Sequence, residues 1–178
     1  MANTDNARGL RPIYGPGGGA PKMTKYLAGT TTSIFRGDIV ARAANGRVHR
    51  IATTTGSGKI VGVAANYVNA LSGVGATTAQ DVWVYDDPDQ SFEIQDDGAA
   101  ATPARSDLGA TFALIVGVGN TTTGQSIFEV DASAAGVAST DPVLAIDFKV
   151  GPAFEVGKNA TWIIKLNRHL HRTASLGI

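Results

Sequence analysis

Asp81-Val82-Trp83-Val84-Tyr85-Asp86-Asp87-Pro88-Asp89-Gln90-Ser91-Phe92-Glu93-Ile94-Gln95-Asp96-Asp97-Gly98 reads as two strands around an acidic turn. Successive side chains of a strand point to opposite faces, so Val82 and Val84 share one face and Trp83 and Tyr85 the other. Phe92 and Ile94 then form an apolar face, with Ser91, Glu93 and Gln95 on the polar one. Aspartate and proline suit the turn between them, because a carboxylate bonds nearby backbone amides and proline cannot extend a ladder. The expected unit is a hairpin with a longer loop, closed by Asp96-Asp97-Gly98.

The same period runs outward from this unit. Asp38–Ala44 and Arg47–Ala52 flank Asn45-Gly46, the dipeptide that best tolerates a two-residue hairpin turn. That register sets Val40 opposite Ile51 and Arg42 opposite His49. Further strands are expected at Lys59–Val68, Ser126–Asp131, Pro142–Val150 and Trp162–Asn167. In Pro142–Val150, Leu144, Ile146, Phe148 and Val150 would share a face, and Asp147 and Lys149 the other. Leu108–Val116 is apolar but too short to separate helix from strand by period. Trp83, Phe92 and Trp162 read as core aromatics. Short strands between turn residues, with no capped 3.6-residue pattern, predict an all-β fold, a β-barrel or β-sandwich of short antiparallel strands.

Residues 1–30 differ from the β-rich remainder, 31–178. Gly15, Pro16, Gly17, Gly18, Gly19 and Pro21 interrupt both helix and strand. Isolated apolar and basic anchors surround them: Leu10, Arg11, Ile13, Tyr14, Met23, Tyr26 and Leu27. A bare linker does not need two tyrosines, so the segment reads as an extended N-terminal arm whose anchors lie on a neighbour. An unstructured terminus is the competing reading.

Composition narrows the function. The 15 basic and 15 acidic residues cancel, and a duplex-binding surface ordinarily carries a basic excess, so no nucleic-acid partner is expected. The chain has no cysteine, which removes disulfides, thiolate catalysis and cysteine zinc sites. No apolar run approaches a membrane span and Met1–Arg11 lacks a secretory pattern, so the expected state is a soluble protein made in a cytoplasm, with no membrane partner. Gly56-Ser57-Gly58-Lys59 has Thr53 where a phosphate loop needs glycine and Ile60 where it needs a magnesium-binding hydroxyl. Asp86, Asp87, Asp89, Asp96 and Asp97 resemble cation ligands less than turn carboxylates. His169 and His171 would share a strand face, but Arg168 and Arg172 flank them, so a solvated or interface-facing tail is expected. No nucleophile, base and orienting partner assemble. No enzyme activity, metal or cofactor is therefore expected.

Several segments resemble the capsid decoration, or cement, proteins of tailed phages. They are Val84–Asp89 leading into Phe92–Gly98, Met1–Asp5 with Arg8–Pro12, Ile34-Phe35-Arg36-Gly37-Asp38, Ser106-Asp107-Leu108-Gly109-Ala110 and Trp162–Asn167. The resemblance implies a β-domain on the outer surface of the virion, with the major capsid protein as partner and homotrimers at local threefold positions. It implies no catalytic residues, and a structural turn at Asp86–Asp89. Rival expectations are a carbohydrate- or host-surface-binding β-module, or another virion part such as a tail-tube or head-fibre protein.

Overall fold

The computed structural model describes residues 3–29, 32–53, 59–69, 80–99, 104–136, 138–151 and 155–172. In chain order the strands are β1 (Arg11–Pro12), β2 (Thr24–Leu27), β3 (Ile39–Arg42), β4 (Val48–Arg50), β5 (Lys59–Ala64) and β6 (Asp81–Tyr85). They continue with β7 (Ser91–Gln95), β8 (Thr111–Phe112), β9 (Leu114–Ile115), β10 (Glu129–Val130), β11 (Val143–Phe148) and β12 (Thr161–Leu166). The fold is all-β. One five-stranded sheet has the order β1-β7-β12-β11-β8 and the other β2-β6-β5-β3-β4. Every ladder is antiparallel, and β9 and β10 form a separate pair. Ala28, directly after β2, bridges Val48 of β4 in parallel, with the Gly29 amide donating to the Val48 carbonyl at 2.7 Å, so the end strands of the second sheet touch at that one point; the two sheets pack in a sandwich-like arrangement.

The main core lies between the sheets, because side chains from both enter one cluster. Phe92 and Ile94 of β7 and Trp162, Ile164 and Leu166 of β12 meet Ile39 and Ala41 of β3 and Ile60 and Val63 of β5. Trp162 is fully buried on the middle strand of its sheet, with ring centroids 4.1 Å from Phe148 and 4.9 Å from Phe112. A second core covers the opposite face of the β2-β6-β5-β3-β4 sheet. It joins Val40, Val48, Val61, Ala64, Val82 and Val84 to Ala28, Ile34 and Val68. The inner strands of that sheet are therefore buried on both faces, which is why β5 reads as one apolar run rather than an alternation.

Four sequence expectations do not hold in this fold. The Asn45-Gly46 hairpin pairs Val40 with Arg50 and Arg42 with Val48, one residue from the expected register. Only Gly46 takes positive φ (79°), so the turn is a three-residue loop and not the two-residue type in which both positions are left-handed. The amide of Ala43 donates to the Arg47 carbonyl across it. Secondly, β6 and β7 are not a hairpin: they belong to different sheets, and Asp86–Gln90 carries the chain from one to the other. Thirdly, β11 contains a bulge between Ala145 and Asp147, which shifts the phase of its alternation. Val143, Ala145 and Phe148 face the core, while Ile146 is exposed and Leu144 half-buried. Fourthly, Ser126–Asp131 contributes only the two residues of β10; Leu108–Val116, whose period left helix and strand open, contains two short strands, β8 and β9.

Candidate interaction surface

The N-terminal segment lies along the domain. β1 forms the edge of one sheet by pairing with β7, and β2 forms the edge of the other by pairing with β6. Before β1, the segment crosses the outer face of the first sheet. Gln95 donates to the Thr4 carbonyl (2.7 Å) and accepts from the Asn6 amide (2.6 Å). Asn3 donates to the Glu155 and Lys158 carbonyls at 2.8 and 3.0 Å. Between β1 and β2 the glycine-rich stretch forms a closed loop, with the Gly15 amide donating to the Gly19 carbonyl at 2.8 Å. The buried Gln90 side chain secures its entrance by donating to the carbonyls of Ile13 (3.0 Å) and Tyr14 (3.3 Å).

The expected anchors accordingly divide. Leu10 is 1% exposed and part of the main core, so it faces inward. Arg11 is in β1 and pairs with Glu93 at 3.3 Å. Ile13 is half-buried, its amide donating to the Ser91 carbonyl. Tyr26 packs against the second core, and its hydroxyl donates to Asp86 at 2.8 Å. Burial, then the hydrogen bond to Asp86, pushes the Tyr26 hydroxyl up to about 12. Tyr14, Met23 and Leu27 remain open to solvent, at 78%, 48% and 50% exposure.

Trp83 joins them. Expected in the core, it is 45% exposed. Its strand, β6, lies next to the edge strand β2, and Lys25 stands opposite Trp83 while Leu27 stands opposite Asp81. These directly paired residues share a face, so Leu27, Trp83 and the Lys25–Asp81 ion pair (3.0 Å) form one surface strip. Sequence alternation put Trp83 on the correct face. What it could not supply is that this face is left open at Trp83 while Tyr85, two residues on, packs against the main core.

The acidic residues are held as turn carboxylates. Asp87 accepts from the Asp89 amide (2.8 Å), and Asp96 accepts from the Gly98 and Asn159 amides (2.8 and 3.0 Å). Asp97 accepts from the Ala99 amide (3.2 Å), while Asp89 meets Lys165 and Arg172, each at 3.4 Å. Among the described residues no three His, Asp or Glu side chains converge as metal ligands. Burial raises the pKa of Asp96, and burial reinforced by Asp5, Asp97 and Asp96 raises Glu129 to about 7. Burial likewise raises Asp38 to about 6, although its carboxylate accepts the Phe35 amide at 2.8 Å.

His169 is not on a solvated tail, contrary to the sequence expectation. It is 2% exposed, and residues 169–170 run parallel to the start of β5, where the Leu170 amide donates to the Ile60 carbonyl. Its ring lies 5.7 Å from that of His171, and burial lowers its pKa. Gly56-Ser57-Gly58 and most of the expected loop at residues 69–80 lie outside the described residues.

Fold and surface together define an all-β domain of two five-stranded antiparallel sheets and a short strand pair, with Leu27, Trp83 and the Lys25–Asp81 ion pair exposed along one edge. No family model, curated protein or solved structure matches the chain.

Proposed function

We propose that this protein is a structural component of a tailed-phage virion that binds the outer capsid surface and stabilises the head, with the major capsid protein and further copies of itself, as a homotrimer, for partners. The observation that carries the reading is the edge of the second sheet. Opposite its ladder with β6, β2 has no strand paired along Thr24–Leu27 among the described residues, although Ala28 just past it bridges Val48 of β4, and Leu27 and Trp83 stand exposed beside this edge. A sheet edge with apolar side chains beside it is suited to being covered by another chain. The sequence resemblance supplies the kind of chain. A protein that bridges neighbouring shell subunits stabilises the assembled shell over its dissociated parts by mass action.

The test uses heads lacking the protein. Added back, it should raise the temperature at which packaged DNA is released, at matched salt. Leu27→Glu and Trp83→Ala should bind the heads less well while leaving the far-ultraviolet circular dichroism spectrum unchanged. Point substitutions are preferable to deleting residues 2–27, because that deletion removes Leu10 from the core and both edge strands. Identical release curves at saturating binding would refute the stabilising role. Undiminished binding by both variants would remove this edge from it.

A further inference from the structure

Two Arg-Gly pairs distant in sequence, Arg8-Gly9 and Arg36-Gly37, are brought together by backbone contact. Gly9 and Gly37 have φ of +65° and +96°, a conformation that favours glycine. They also touch: a Cβ on Gly9 would lie 2.6 Å from the Gly37 carbonyl oxygen, and one on Gly37 would lie 2.9 Å from that of Arg8. The Leu10 amide donates to the Gly37 carbonyl at 2.9 Å. On the far side, the Arg36 amide donates to the Gly124 carbonyl (2.9 Å), and the Ser126 amide to the Arg36 carbonyl (3.0 Å). The positions of both arginines are thus set by main-chain geometry rather than by carboxylates.

Beside this junction lies a cavity of about 310 Å³ whose lining includes Arg8, Arg11, Arg36, Tyr85 and Gln125 and, among the described residues, contains no acidic side chain. Arg8 donates through Nε to the Asn6 side chain at 3.1 Å, a neutral partner. Arg11 shares Glu93 with Lys149, whose Nζ is 2.7 Å from that carboxylate. Arg36 is exposed, and among the described residues its guanidinium makes no hydrogen bond or ion pair. The buried Asp38 carboxylate is directed to the Phe35 amide. Three arginines therefore line one opening in a chain of zero net charge, and Glu93 is the one carboxylate paired with any of them among the described residues. Like charges repel, and guanidinium forks match the paired oxygens of carboxylate and phosphate.

We propose that this cavity is an oxyanion-binding site, in which Arg36 and Arg8, helped by Arg11, hold a carboxylate or phosphate group. It does not rest on the capsid reading, since binding belongs to the isolated protein. The experiment titrates the full chain with inorganic phosphate and, separately, with glutarate, at ionic strength held constant with sodium chloride. Amide resonances of Gly9, Gly37 and Gln125 report occupancy. A saturable shift with either anion supports the site, and the anion that binds more tightly identifies the source as phosphate or carboxylate. Arg36→Gln should weaken binding by roughly tenfold, the effect of losing one charge-assisted contact. Arg36→Lys should retain part of it, and Arg105→Gln, on a distant exposed turn, should retain all. Arg8→Gln gives an independent second reading should Arg36→Gln fold poorly. No saturable shift with either anion, or equal affinity in the wild type and both glutamine variants, would overturn the proposal.

Discussion

The two sheets solve the problem of burial differently. In the β1-β7-β12-β11-β8 sheet, one face enters the core and the other is half-buried or exposed and mostly polar, with Ile163 and Ile146 as apolar members. β7 and β12 alternate strictly, with Phe92, Ile94, Trp162, Ile164 and Leu166 inward and Glu93, Gln95, Thr161 and Lys165 outward. In the β2-β6-β5-β3-β4 sheet the inner strands are covered on both faces, β5 along Ile60–Ala64 without a polar side, while the β2–β6 edge keeps Leu27 and Trp83 exposed. Their cores differ in kind as well. The core between the sheets holds the large aromatic side chains Trp162, Phe92, Phe112, Phe128 and Phe148, whereas the buried members of the second are only alanine, valine and isoleucine. A packed aromatic buries far more apolar surface than a valine. The shared core should therefore dominate stability, and the second core should chiefly fix the loops that lie over it.

That ranking can be broken by truncating one side chain in each core. Trp162→Ala removes the centre of the aromatic cluster and should cost about 3–5 kcal/mol. Thermal unfolding should then fall on the order of 10 °C below the wild type. Val84→Ala, in the second core, removes two carbons and should cost about 1.5–2.5 kcal/mol by urea denaturation. Equal losses would mean that the second core is as important as the first, and that the outer cover is part of the same cooperative unit.

The contrast also explains which elements the sequence makes legible. The strict alternation of Asp81–Tyr85, Ser91–Gln95 and Thr161–Leu166 marks strands because each has one buried and one less buried face. β5 lacks that signal because both its faces are buried. β11 misleads through its bulge: Ile146 adds a residue without changing the apolar look of the run, and the inferred faces reverse beyond it. The sheet exchange between β6 and β7 leaves no local mark, since Asp86–Gln90 looks like any hairpin loop. The surface is less legible than the fold. Leu10 and Tyr14 look equally suited to anchoring an arm, yet one is core and the other 78% exposed, and only tertiary packing separates them. Arg8-Gly9 and Arg36-Gly37 stand out as short motifs, but no spacing rule says that they meet.

The smallest effect separates the acid groups of the two regions. Glu129 in β10 has its carboxyl raised to about 7 by burial and by Asp5, Asp97 and Asp96. Asp38, just ahead of β3, is raised to about 6. A carboxyl whose folded pKa exceeds its unfolded value binds its proton more tightly when folded. Its stabilising contribution is full below the unfolded pKa and is lost as pH rises through the folded one. Acidification should therefore stabilise the protein, first through Glu129 and then through Asp38. His169 acts in the opposite sense: its folded pKa is lowered by burial, so it favours unfolding as pH falls below the ordinary histidine value of 6.5. Between pH 8 and 6.5 Glu129 dominates, while below 6.5 Asp38 and His169 oppose each other. We expect the melting temperature to rise by about 1–2 °C from pH 8 to 6.5, equivalent to roughly half a kcal/mol once solvent screening is allowed for. Glu129→Gln should abolish that rise, and Asp38→Asn should leave most of it intact. Calorimetry at constant ionic strength decides the matter. An unchanged rise in Glu129→Gln would assign the proton to Asp38 and reverse the order in which Glu129 and Asp38 titrate.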